Sequence, residues 1–371
     1  DLHAFPTRGS SDRIIVRLHN NDSDGDSGRQ HVFDGPATVG EALKMLDPAR
    51  AKGAVGARLD GQLVDLTEVV LHDGTIDPAM SDDPDGLAII RRASAQLLGH
   101  AVKQLYPLAQ MAIARVTDDG FDYDIAYERP FTPDDLLAIE ARMCVLADTG
   151  YDILKYVLPH EEVVRIFRMN RAEYKLRLLD AMPGDASVSI YIHQDYIDMS
   201  RGPMAPNTRF LQAFKLMGVS GAYWRNEARN EQLQRIHGTA WASQQQLNAH
   251  FHRLAEAERR DHRRLGRELD LFHFEAEAPG AVFWHPRGWT VFQQLIGYLR
   301  RRQRSVGYVE VNTPDVMDRG LWEISGHWQN YRDHMFVTEP EPGRSLALKP
   351  MSCPGSVLMY RHALKSYRDL P

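Results

Sequence analysis

Apolar and polar positions alternate through Arg13-Ile-Ile-Val-Arg-Leu-His19, the period of a half-buried strand. Residues 20–30, rich in Asn, Asp, Ser and Gly, predict a hairpin loop, and His31-Val-Phe33 returns as a second strand. Thr38 and Glu41 have the spacing of a capping box, which opens a helix. Short apolar runs at 54–59 and 62–65 flank Asp60-Gly61, a strong hairpin signal. These elements predict a small mixed module over residues 12–80, preceded by a tail at 1–11 and closed by the acidic loop 81–86.

The pattern then lengthens. A helical period runs through 87–105, strand-like runs at 111–116 and 121–125 flank Asp119-Gly120, and Thr132-Pro133-Asp134-Asp135 starts another helix with Thr as cap and Pro at its first position. Residues 81–246 are expected to form one α+β domain. The stretch 247–272 predicts a single charged linker helix, its arginines either laced to Glu256, Glu258 and Asp261 across a solvated face or cradling a polyanion. Beyond it, an amphipathic helix is expected over 289–304, strands over 308–312 and 346–349, and a turn over 350–355. Fold class is therefore α+β in several domains.

Composition narrows the classes. With 371 residues, 43% hydrophobic and 25% charged, the chain fits two or three globular domains. No apolar run reaches the length of a membrane span and the first residues carry no secretory pattern. Two cysteines, Cys144 and Cys353, exclude a disulfide scaffold and fit a reducing, cytoplasmic setting. The net charge of −6 is uneven: residues 1–90 carry 16 acidic and 8 basic side chains, and the remainder is net +2. A local basic face for nucleic acid is compatible with that balance.

Glycine-rich nucleotide loops, a nucleophile elbow and a His-Glu-x-x-His zinc helix are all missing from the sequence. Cys144, inside the helical stretch 136–147, reads as a small buried hydrophobe. Cys353 sits on a Pro- and Gly-bracketed turn. Thiolate suits zinc, yet no spacing marks His327, His334 or His362 as a partner, so residue spacing leaves a metal role and an ordinary turn residue both open.

Longer motifs carry a family resemblance. Phe283-Trp-His285 with Gly288-Trp289, Val311-Asn-Thr-Pro314, Leu321-Trp322, Gly326-His-Trp328, Met335-Phe336, Lys349-Pro-Met-Ser-Cys-Pro-Gly355 and Lys365-Ser-Tyr-Arg-Asp-Leu-Pro371 resemble the start of the class II catalytic domain of threonyl-tRNA synthetases. Gly202-Pro203, Phe214-Lys-Leu-Met217, Gly221-Ala-Tyr-Trp-Arg225, Gln234-Arg-Ile236 and Gly238-Thr-Ala-Trp241 are similar to that family's second, editing domain, and 12–80 resembles its β-grasp (TGS-like) module. The resemblance covers nearly the whole chain.

It implies a threonine–tRNA ligase that uses ATP with magnesium, threonine and tRNA(Thr), with no membrane association. Pro314 corresponds to the proline of class II motif 1, implying a homodimer, and Cys353 corresponds to a zinc-ligating cysteine. Zinc would read the amino and hydroxyl groups of threonine together, which valine cannot match. Met351, in the same turn, either lines the amino-acid pocket or simply packs beneath the turn.

Departures from the family pattern are as informative. The editing helix motif His-x-x-x-His falls on Arg92 to Gln96, and the loop motif Cys-x-x-x-His on Ser200 to Met204, so all four catalytic positions differ. Arginine is no base at neutral pH and methionine does not titrate. Lys175 and Asp198 remain as polar lining, and His100 and His193 read as structural. The expectation is a domain that keeps its fold but has lost seryl-tRNA hydrolysis. Ser352 and Ser356 stand where the family usually has Asn and His, which bears on the synthetic site. Catalytic motifs 2 and 3, two further zinc histidines and the anticodon-binding domain would follow Pro371, so the segment alone is expected to be inactive. The competing expectation is a non-catalytic tRNA-binding or regulatory paralogue.

Overall fold

The computed structural model describes residues 13–19, 29–362 and 366–369. The expected tail at 1–11 and most of the expected hairpin loop lie outside those residues. Contacts gather into two compact units, Asp1–Glu258 and Arg259–Pro371. The protein is a mixed α+β chain.

In the first unit, β1 (Ile14–Leu18) pairs antiparallel with β2 (Gln30–Phe33). The short strand β3 (Ala37–Thr38) leads into α1 (Val39–Leu46) and α2 (Pro48–Ala51). Thr38 caps α1 reciprocally with Glu41: the Glu41 amide donates to the Thr38 hydroxyl at 3.2 Å and the Thr38 amide to the Glu41 carboxylate at 2.8 Å. β4 (Ala54–Leu59) and β5 (Gln62–Val64) form the expected hairpin, with both Asp60 and Gly61 left-handed, as a two-residue turn of this kind requires. After β6 (Val69–Val70), β7 (Gly74–Met80) runs parallel to β1 and completes a sheet of order β2-β1-β7-β4-β5 over α1.

α3 (Pro84–Leu105) begins three residues before the expected start, capped by Asp83, whose carboxylate accepts from the Gly86 amide at 2.7 Å. It is buried nearly all round, which suits a central helix. One side meets the first sheet, where a Cβ on Gly56 would lie 2.6 Å from Ile89. Another lies on the sheet β13-β14-β9-β8, built from β8 (Gln110–Val116), β9 (Gly120–Ala126), β13 (Ala213–Tyr223) and β14 (Gln232–Trp241). α4 (Pro133–Thr149) packs beside α3, and its Thr132–Asp135 capping box fits the reading of the sequence. β10 (Leu154–Pro159), α5 (His160–Met169), α6 (Glu173–Leu179), β11 (Ser187–His193) and β12 (Tyr196–Met199) add a three-stranded sheet with two covering helices.

Three expectations are corrected here, and a fourth, the turn at 350–355, below. The linker over 247–272 is two helices, α7 (Gln244–Arg259) and α8 (His262–Glu268), because Asp261 leaves helical geometry and its carboxylate accepts from the Arg263 amide at 2.7 Å, capping a new start. Residues 308–312 form no strand: Tyr308 and Val309 are exposed, and among the described residues no strand pairs with them. Cys144 is exposed, since α4 buries Ile139, Met143, Leu146 and Ala147 and turns Cys144 outward.

The second unit continues with β15 (Phe272–His273), β16 (Phe283–Trp284) and α9 (Pro286–Ser305). β17 (Val316–Asp318), α10 (Arg319–Ile324), α11 (His327–Tyr331), β18 (Val337–Glu341) and β19 (Arg344–Leu348) follow, with Trp322, Trp328 and Ala347 as their small core. The expected turn at 350–355 is instead the entry to α12 (Cys353–His362). Among the described residues no helix is long and apolar enough to cross a membrane.

Candidate functional site

Arg92 and Gln96 stand one turn apart on α3 and project from the same face. β8 forms the floor beneath them, α6 contributes Lys175, and the chain leaving β12 contributes Ser200, Gly202 and Met204. Together with Arg115 and Arg201 these residues line a cleft of about 320 Å³. Five residues singled out from the sequence, Arg92, Gln96, Lys175, Ser200 and Met204, thus share one cavity. Asp198 lies behind it, its Oδ1 2.5 Å from the Lys175 ammonium.

The loop at 200–204 is fastened from the first sheet. Asp65, after β5, is buried and accepts from the Tyr191 hydroxyl (2.9 Å) and the Met204 amide (2.9 Å), and its carboxylate lies 2.9 Å from the Lys155 ammonium. Glu68 shares Lys155 at 2.9 Å. The sequence held no signal for Asp65, because its partners lie more than a hundred residues away for Tyr191 and Met204. Gly202 is left-handed at φ +65°, and a Cβ there would lie 1.9 Å from the Tyr191 hydroxyl, so only glycine fits. The Arg92 guanidinium donates to the Pro203 carbonyl at 2.9 Å.

Two buried networks back the cleft. In the first, Asp198 accepts from the hydroxyls of Tyr123 and Tyr196, while the Lys175 ammonium also donates to Tyr123 at 3.2 Å. Burial, followed by the Asp198 charge, holds both phenols well above their ordinary range. In the second, His193 donates from Nε2 to the Gln96 carbonyl oxygen at 3.0 Å and so accepts at Nδ1 from the Tyr151 hydroxyl, 3.1 Å away. Tyr151 also contacts His100 Nδ1 at 3.1 Å, and His100 Nε2 lies 2.7 Å from Asp195. Burial, with a smaller effect of His100, drives the His193 pKa down to about 3, and burial also lowers His100, against the opposing pull of Asp195.

The chemistry of this cleft is limited. Arg92 cannot accept a proton, Gln96 and Met204 do not titrate, and Lys175 is committed to Asp198. The Ser200 hydroxyl accepts from the Gly202 amide at 3.2 Å, and no base is bonded to it among the described residues. The His193 imidazole contacts the cleft residue Gln96, but it is fully buried and bonded at both nitrogens. An unactivated hydroxyl is a poor nucleophile.

In the second unit Cys353 opens α12 and is exposed, as is Met351. Pro314 is held nearby in sequence by Lys349, whose ammonium donates to the Thr313 carbonyl at 3.1 Å and pairs with Asp315 at 2.8 Å. Pro314, Met317, Leu321, Gly355 and His362 line a separate cavity that includes neither Met351 nor Cys353. A catalytic zinc takes three protein ligands. Among the described residues no three His, Cys, Asp or Glu side chains are grouped for a metal, so this donor set does not by itself make a zinc site.

A threonine–tRNA ligase from Paracidovorax citrulli (strain AAC00-1) is 53% identical over 342 residues, which is 92% of this chain and 53% of the relative. The chain belongs to the threonyl-tRNA synthetase family. It spans about half the length of that relative. Residues 188–237, from β11 into β14, match the family described as the threonyl and alanyl tRNA synthetase second additional domain. A solved RNA-binding domain of threonyl-tRNA synthetase from Cryptosporidium parvum Iowa II is 41% identical, covering 30% of this chain and 28% of that one, with a TM-score of 0.29. The family match thus includes β12 and the loop that brings Ser200 and Met204 to the cleft.

Proposed function

We propose that this chain is the N-terminal part of a threonine–tRNA ligase whose second domain has lost hydrolysis of seryl-tRNA. The complete protein would activate threonine with ATP and magnesium and esterify it to tRNA(Thr), as a homodimer meeting through the segment around Pro314. In this reading 12–80 is the β-grasp module, 81–246 the editing-type domain and 273–371 the start of the catalytic domain. The 53% identity to a threonine–tRNA ligase supports the ligase activity.

The observation that carries the loss of editing is the chemistry of the cleft. The family's four catalytic positions are Arg92, Gln96, Ser200 and Met204 here, and none can serve as a general base. Lys175 and Asp198 neutralise each other and offer polarity without proton transfer. Cys353 would be one ligand of a zinc completed by residues outside this chain; bound there, zinc would act as a Lewis acid toward the amino and hydroxyl groups of threonine. Met351 would line that pocket.

The test uses the full-length protein. Threonine-dependent ATP–pyrophosphate exchange without deacylation of seryl-tRNA supports both halves of the reading. Absence of exchange in a folded protein would leave a tRNA-binding relative. Rapid seryl-tRNA hydrolysis would overturn the assignment of Arg92, Gln96, Ser200 and Met204.

A further inference from the structure

Among the described residues, every ionisable side chain lining the cleft between α3, β8, α6 and the 199–204 loop is a cation: Arg92, Arg115, Lys175 and Arg201. Among the described residues no carboxylate lines it. From these charges we infer that the cleft is a binding site for a phosphate or phosphate monoester, gripped by Arg92.

The charges behind the walls decide how much of that positive field survives. Lys175 is answered by Asp198. Arg115 lies 2.6 Å from buried Asp124, but Arg235 shares the same carboxylate at 2.6 Å, so two cations face one anion. Behind Arg92, Asp65 and Glu68 share Lys155. Asp65 already accepts from Tyr191 and Met204 and pairs with Lys155, and among the described residues no hydrogen bond joins it to Arg92, to which it contributes charge alone. Arg201 stands exposed beside the loop, with no ion pair among the described residues. Taken with their backing partners, the four lining cations leave a net of two positive charges, which a phosphate monoester dianion matches.

Arg92 is the anchor because its position is unfavourable without an anion. It is half-buried, and burial lowers its pKa, yet a guanidinium stays charged in a protein. One of its five N–H groups is used, on the Pro203 carbonyl, which leaves the planar fork free to hold an oxyanion at two points. The Ser200 hydroxyl accepts from Gly202 and keeps its own proton to donate. A volume of about 320 Å³ takes a phosphate with a small ester group rather than a large cofactor. The inference does not depend on ligase activity or on the loss of editing, since it concerns only what the cleft holds.

The test is isothermal titration of the 371-residue chain with inorganic phosphate, adenosine monophosphate and acetate at fixed ionic strength. Saturable binding of one phosphate per chain is expected, with acetate at least about tenfold weaker. Tighter binding of the monophosphate would mark an ester as the ligand, and equal binding would mark free phosphate. Arg92→Gln is expected to weaken phosphate about tenfold or more, Arg201→Gln roughly threefold, and Arg92→Lys by an intermediate amount. Arg300→Gln, which removes the same charge from the second unit, is expected to leave binding unchanged. If Arg92→Gln fails to fold by circular dichroism, Arg92→Lys and Arg201→Gln carry the comparison. Absence of saturable binding, binding indifferent to the Arg92 variants, acetate binding as tight as phosphate, or equal weakening by Arg300→Gln would each overturn the proposal.

Discussion

Asp65→Ala is the sharpest test of how the first sheet supports the cleft. The carboxylate is buried and accepts from the Tyr191 hydroxyl and the Met204 amide, both also buried. Lys155 retains Glu68, so the substitution strands two donors rather than three. A buried donor left unsatisfied costs about 1–3 kcal/mol, which places the loss near 4 kcal/mol. Tyr191→Phe removes the opposite end of one bond without stranding a donor, and is expected to cost only about 1 kcal/mol. The double variant should then cost less than the sum of the two, by roughly 1–2 kcal/mol. Hydrogen exchange on peptides spanning 187–193 and 200–204 reads the effect locally, and urea unfolding reads it globally. A loss below about 1 kcal/mol for Asp65→Ala, or strict additivity with Tyr191→Phe, would refute the reasoning.

Other outcomes follow from the same geometry. His193 titrates near 3 when folded and near its ordinary value of 6.5 when unfolded, so the unfolded chain binds the extra proton between those limits. Stability is therefore complete above about pH 6.5 and falls as pH drops toward 3, by about 2 kcal/mol between pH 7 and pH 5; a urea midpoint that is flat over that interval in wild type, or equally steep in His193→Gln, would contradict this. Gly202→Ala places a methyl against Tyr191 at positive φ and should destabilise by about 2 kcal/mol or more, measured by thermal unfolding. Cys144 is exposed, but its thiol is partly desolvated by its neighbours, and that effect, followed by the charges of Glu140 and Asp148, pushes the thiol up, so its reaction with a disulfide reagent at pH 8 should be slower than that of a free cysteine; Glu140→Gln should speed it.

Local signals were legible in the sequence wherever the determinant was local. Thr38 with Glu41, Asp60-Gly61 and Thr132-Pro133 act within a few residues and appear as caps and turns where their spacing placed them. The helical period over 247–272 was equally visible, but it could not show that Asp261 would favour capping Arg263 over continuing the helix. At 308–312 alternation described a strand without saying what it would pair with. The cleft divides in the same way. Arg92 and Gln96 were legible as neighbours on a helix, and Ser200 and Met204 through their family motif. Asp65, Tyr151 and Arg115 were not, because each matters only through partners brought in by the fold.

The bonds from Asp65 to Tyr191 and Met204 have a consequence for how such chains are inherited. Recombination that exchanged only the first eighty residues would deliver a new sheet to an old loop. Unless the incoming sheet carried an acceptor at that position, β11 and the loop would meet it with two donors, one each, facing a dry wall. A chain that loses the acceptor at position 65 is therefore expected to need matching changes at Tyr191 and in the loop after β12.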